Sequence, residues 1–223
     1  MTVPVGAIYG FIGENGSGKS TTEKLICGHL VPNGGKIRLF GRDYRDAGVR
    51  ARVGALIENT GCFPGSSVWD NLMMQAINLG LDNPRREIGR VLSIVRMEDS
   101  AKTKFKNCSL GMKQRIGIAM ALLGDPALLI LDEPINGLDT DGMRIMREIL
   151  TEITREYSAT VLISSHILGE LEKIATHYGI IRQGKMIQEI SAKEMESRAR
   201  VFVSVKTRDM KGARAVLLLG PTG

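Results

Sequence analysis

Between Gly13 and Thr21 the chain reads Gly-Glu-Asn-Gly-Ser-Gly-Lys-Ser-Thr, a G-x-x-x-x-G-K-[ST] spacing. It lies between an apolar run, Val5 to Ile12, and a helix-compatible run, Thr22 to Leu30. Few folds can accommodate such a loop. The branched and aromatic residues before it suit a buried strand. The run after it ends near Pro32 and Gly34-Gly35, where a helix would stop. Gly13, Gly16 and Gly18 let successive backbone N–H groups turn inward around an anion, and the helix N-terminus adds its positive end. In a loop of this spacing Lys19 is expected to reach the β- and γ-phosphates of a nucleotide, and Ser20 to ligate Mg²⁺.

The remainder alternates apolar strands with helices. Strands are expected at Lys36–Phe40, Val53–Ile57, Ala127–Leu131, Thr160–Ser164 and Arg200–Thr207, with a hairpin formed by His177–Arg182 and Met186–Ile190. Helices are expected at Asp139–Tyr157, Ile167–Ala175 and Ala192–Ser197. Continuous apolar strands between helices imply an α/β fold, a mainly parallel sheet covered on both faces. From about residue 60 to 125 the strand pattern lapses, and helices are expected over Val68–Leu79 and Pro84–Met97 and from Ser109 onward. This segment reads as a helical subdomain inserted into a core of residues 1–59 and 126–190, followed by a tail at 191–223.

Three cysteines, Cys27, Cys62 and Cys108, lack C-x-x-C spacing and read as reduced thiols rather than metal ligands. No apolar run is long enough to cross a bilayer. The formal net charge of +6 suits a nucleotide, an anionic membrane face or nucleic acid. Its basic residues are spread along the chain, and aromatic residues for stacking bases are few.

The apolar strand Ala127–Leu131 ends in Asp132-Glu133. In a phosphate-loop enzyme an acid at the end of a neighbouring strand helps to hold Mg²⁺, and a second beside it can act on the attacking water. Asp132 and Glu133 fit those two tasks. Cys108-Ser109-Leu110-Gly111-Met112-Lys113-Gln114-Arg115 then resembles the L-S-G-G-Q-x-Q-R signature of ABC-type ATPases, with Ser109, Gly111, Gln114 and Arg115 matching. Asn136-Gly137-Leu138-Asp139 resembles that family's D-loop, and Ser164-Ser165-His166 its switch-histidine segment. Glu58, where most members carry glutamine, together with SLGMKQR, resembles the bacitracin and lantibiotic resistance branch of bacterial exporters.

The resemblance implies a P-loop NTPase of RecA-like build. It implies that Gly13, Asn15, Gly16, Ser17, Gly18, Lys19, Ser20 and Thr21 cradle the phosphates of ATP, with Ser20, Asp132 and Glu58 on the Mg²⁺ side. Glu133 would act on the hydrolytic water, His166 on the γ-phosphate, and Glu58 between metal and water. Two cassettes of the family pair head to tail. Ser109, Gly111 and Asp139 would therefore serve the nucleotide held by a second copy, and a membrane-spanning permease at the cytoplasmic face of the membrane would take up the motion. No nucleic-acid partner is expected. Members of the family carry an edge β-sheet and an adenine-stacking aromatic residue ahead of the first strand. Only Met1 to Val5 stand there, so the chain reads as a truncated cassette, and Tyr9 lies too near the loop to be a substitute. Two alternatives stay open: a soluble ATPase of this type acting on nucleic acid or ribosomes, and a cassette with impaired nucleotide binding.

Overall fold

The computed structural model describes residues 1–198. The strand expected at 200–207 lies outside them. Strand β1 (Ile8–Ile12) enters the glycine-rich loop and helix α1 (Lys19–Ile26) leaves it. A two-stranded ribbon, β2 (Arg38–Leu39) and β3 (Arg42–Asp43), is followed by the short helix α2 (Ala47–Arg50) and strand β4 (Val53–Leu56). The chain then leaves the sheet for three helices, α3 (Val68–Asn78), α4 (Pro84–Ile94) and α5 (Leu110–Leu122). It returns through β5 (Leu128–Leu131), α6 (Thr140–Glu156), β6 (Thr160–Ser165) and α7 (Leu168–Leu171). The hairpin β7 (His177–Arg182) and β8 (Lys185–Ser191) and helix α8 (Ala192–Arg198) complete the described part.

Six strands form one sheet in the order β4-β5-β6-β1-β7-β8. All neighbours are parallel except β7 and β8. The period of two in each strand divides the core. Ile8, Leu129, Leu131, Val161 and Ile163 face one side, together with the buried residues of α3 to α6. Tyr9, Phe11, Leu128, Ile130 and Leu162 face the other, with Ile26 of α1. Burial on both faces explains why β5 and β6 read as unbroken apolar runs. Helix α6 buries Met146, Ile149, Leu150 and Ile153, a stripe at helical spacing, and Asp139 caps it by accepting from the Gly142 N–H at 2.8 Å.

Two glycines set how closely α5 approaches the sheet. A Cβ on Gly54 of β4 would fall inside the Ala121 carbonyl, and one on Gly117 would lie 2.8 Å from the Leu56 methyls. Only hydrogen at both positions allows this contact.

Several boundaries differ from the sequence reading. Strand β1 starts at Ile8 because Gly6, at φ 70°, turns the chain just before it. Helix α1 ends at Ile26, since Gly28 at φ 74° closes it well before Pro32. Of the expected strand Lys36–Phe40 only Arg38-Leu39 pairs, and it pairs in a separate ribbon turned by Phe40 and Gly41, both at positive φ. The helix expected over 167–175 is a single turn. Helix α2 is unforeseen, and Asp46 caps it by accepting from the Gly48 N–H at 2.9 Å.

Candidate functional site

The loop is held from two sides. The Gly13 N–H donates to the Ser165 carbonyl of β6 at 3.3 Å, and the Gly184 N–H in the β7–β8 turn donates to the Ser17 carbonyl at 2.8 Å. Within the loop the Ser17 N–H donates to the Glu14 carbonyl at 3.1 Å. Gly16 and Gly18 take φ of 77° and 107°, the left-handed region that side chains disfavour. Gly13 has a different constraint, because a Cβ there would lie 2.5 Å from both the Ile181 carbonyl and Ser17 Oγ. That Ser17 hydroxyl is buried without a hydrogen-bond partner, an arrangement that a polar ligand oxygen would satisfy.

Lys19 begins α1 and is only 5 % exposed. Its ammonium donates to the Gly13 and Glu14 carbonyls at 2.7 and 3.3 Å and lies 3.3 Å from Glu133 Oε1. A buried cation needs such partners. The other carboxylate oxygen of Glu133 accepts from Asn136 Nδ2 at 3.1 Å and lies 2.9 Å from His166 Nδ1. Glu133 itself is at φ 46°. Lys19, Glu133 and His166, drawn from α1, the end of β5 and the end of β6, thus form one connected group. Asp132 beside them accepts from Ser164 Oγ at 2.8 Å.

One hollow of about 320 Å³ is lined by Asn15, Ser20, Glu58, Gln114, Asp132, Glu133 and Asn136. The structure therefore gathers the loop, both carboxylates and the residue that follows β4. Glu58 faces this hollow from a backbone at φ 64°, and its carboxylate pairs with Lys24 of α1. Ser109, Gly111 and Asp139 are not in it. They line a second hollow of about 400 Å³ between the N-termini of α5 and α6. Ser109 caps α5 by accepting from the Met112 N–H at 3.3 Å, and Leu110 leans over Gly137. Arg115 also borders the second hollow, and its guanidinium donates to the carbonyls of Val95 and Arg96 beyond the end of α4.

Tyr9 is 1 % exposed and donates to Glu189 Oε1 at 2.7 Å, so its ring belongs to the core. The three cysteines are free thiols. Four residues of the site went unassigned in the sequence reading. Gln114 and Asn136 fall inside matched motifs and could have been named from them. Ser164 required the register of β5 against β6. Glu23, which reads as a polar helix residue, is fully buried, and neither carboxylate oxygen has a hydrogen-bond partner. Burial, and then the charge of Asp132, push its carboxyl up to about 8.

Comparison with known proteins places this geometry. Residues 1–136 match the family described as ABC transporter. The chain is 38 % identical over 221 residues to "Bacitracin transport ATP-binding protein BcrA" of Bacillus licheniformis, covering 98 % of this chain and 71 % of that protein. It is 40 % identical over 189 residues to "Lantibiotic transport ATP-binding protein SrtF" of Streptococcus pyogenes, covering 85 % and 81 %. Among solved structures, cbiO1 from Clostridium perfringens, part of the ABC transporter complex cbiONQ, superposes with a TM-score of 0.80 at 28 % identity. That match covers 89 % of this chain and 82 % of cbiO1. Among the described residues no helix is long and apolar enough to cross a membrane. With a phosphate loop joined to a carboxylate and a histidine across three elements, the chain belongs to the ABC transporter family as an ATP-binding subunit that couples ATP hydrolysis to transport.

Proposed function

We propose that the hollow beside the phosphate loop is the hydrolytic site of this subunit and that the observation carrying this reading is Glu133, held between Lys19 and His166. The loop N–H groups of Gly13 to Thr21, with Asn15, Gly16, Ser17 and Gly18 among them, hold the ATP phosphates. Lys19 supplies the cation that stabilises charge on the transferring phosphoryl group. Glu133 orients the attacking water and takes its proton, and His166 stabilises the γ-phosphoryl oxygens. Ser20, Asp132 and Glu58 bring three hard oxygen donors to one hollow, a donor set that suits Mg²⁺. Held by these residues, such an ion would supply positive charge against the charge that develops on the phosphoryl group.

The separation of the two hollows supports a paired assembly. Ser109, Gly111 and Asp139 stand at helix N-termini, which attract anions. They serve nucleotide held by a second copy, head to tail. Residues 60–125 act as the signature-bearing subdomain against a core of 1–59 and 126–190, with 191–223 as the tail. A separate permease receives the motion, and the subunit is peripheral to the cytoplasmic face of the membrane. The likeness to BcrA and SrtF supports peptide antibiotics as the cargo.

Glu133→Gln tests the reading. The amide keeps one oxygen acceptor, enough for the contact to Lys19, but cannot take a proton. ATP binding is expected to persist and an ATP-dependent dimer to accumulate. Hydrolysis should fall by about 10² to 10⁴. Undiminished hydrolysis would remove Glu133 from the reaction and the proposal with it.

A further inference from the structure

We infer that Ser164 is a positioning residue that fixes Asp132 and Glu133 together through one hydroxyl. The inference rests on the hydrolytic reading above. In the β5–β6 register Leu131 stands opposite Ile163, so the next residues along, Asp132 and Ser164, are also opposite one another. Neighbouring strands lie about 4.8 Å apart, the span of a serine-to-carboxylate hydrogen bond. Ser164 Oγ donates to Asp132 Oδ1 at 2.8 Å and accepts from the Glu133 N–H at 3.0 Å.

The polarity of this chain is forced. An amide N–H can only donate, so the hydroxyl oxygen accepts from Glu133 and its proton is left for a carboxylate, with Asp132 Oδ1 at 2.8 Å. Ser164 is fully buried, and water cannot take over either bond. The consequence for Glu133 is larger than one hydrogen bond. Its φ of 46° lies in the left-handed region that side chains disfavour, and such a conformation persists only when the surroundings over-determine it. The strand end β6 supplies both restraints: Ser164 holds the backbone N–H, and His166 touches the carboxylate tip at 2.9 Å. Removing the hydroxyl frees the tilt of Asp132 and the backbone of Glu133 at once.

The experiment uses the full chain and reads binding of a fluorescent ATP analogue, first in EDTA and then across a Mg²⁺ titration. Ser164→Ala should leave the affinity in EDTA within about two-fold of wild type while raising the Mg²⁺ midpoint about ten-fold, the equivalent of one charge-assisted hydrogen bond. Hydrolysis at saturating Mg²⁺ should stay below wild type, because the metal cannot restore the lost acceptor at Glu133. Ser164→Thr keeps the hydroxyl and should keep the wild-type midpoint. An unmoved midpoint in Ser164→Ala, or an equal shift in Ser164→Thr, overturns the inference. Asp132→Asn separates the two levels. If it moves the midpoint and Ser164→Ala does not, only the role of Ser164 falls. If neither moves it, the hydrolytic reading of the hollow falls too.

Discussion

Glu23→Gln should make this protein more stable, and the gain should grow with pH. Glu23 lies on the inner face of α1 with no exposed surface and no hydrogen-bond partner for either oxygen. Burial and the neighbouring Asp132 charge hold its carboxyl at about 8 in the folded chain, against 4.5 when unperturbed. The shift is upward, the opposite of a salt-bridged carboxylate. Between pH 4.5 and 8 the folded state therefore binds a proton that the unfolded state has released, and stability falls as pH rises, by ~1.4 kcal/mol per unit. Across the whole window that amounts to roughly 5 kcal/mol, a large part of the ~5–15 kcal/mol that typically holds a domain together. Glutamine has the same shape and does not titrate. The difference in unfolding free energy between Glu23→Gln and wild type should climb by about 4 kcal/mol from pH 5 to pH 8 and then level off. Urea unfolding followed by circular dichroism at pH 5, 6, 7, 8 and 9, at matched ionic strength, measures it. Parallel stability curves would refute the reasoning, since they would mean that Glu23 is charged, and compensated, at every pH in that range.

Two other substitutions test the geometry around the loop. Gly13→Ala places a Cβ 2.5 Å from a backbone carbonyl and from Ser17 Oγ, so nucleotide affinity should collapse, with about 1–3 kcal/mol lost from stability as the loop shifts; calorimetry with ATP and a thermal melt read both. Glu58→Gln breaks only an exposed pair with Lys24, so stability should stay within ~1 kcal/mol. ATP affinity should change less than permease-stimulated hydrolysis, and equal effects on the two would leave Glu58 a structural loop acid.

How much of this was legible in the sequence depended on the range of the contact responsible. Strands β5 and β6 were clear because both faces are buried and each residue carries the same signal. The loop and Asp132-Glu133 were clear because their chemistry is written within a few adjacent positions. What stayed hidden lay between elements. Ser164 falls in the switch-histidine segment, but its partner is hidden until the register places it against Asp132. Glu23 reads as part of a charged helix, since nothing local tells that α1 turns this face to the sheet. The ribbon β2–β3 and helix α2 were misread for a different reason: they are two to four residues long, too short for any periodicity to emerge.

The glycine contacts between α5 and β4 have a mechanical consequence. Helix α5 is 13 residues, about 20 Å long, and its second half lies close against β4 at Gly117 and Ala121. Ser109 stands eight positions ahead of Gly117, about 12 Å along the rod. Such a rod is a lever with its fulcrum at Gly54 and Gly117. A tilt of about 10° there would carry Ser109 by about 2 Å, close to the difference between touching an anion and releasing it. A side chain at Gly117 would act as a wedge against the Leu56 methyls and displace Ser109 from its place at the other end of the rod.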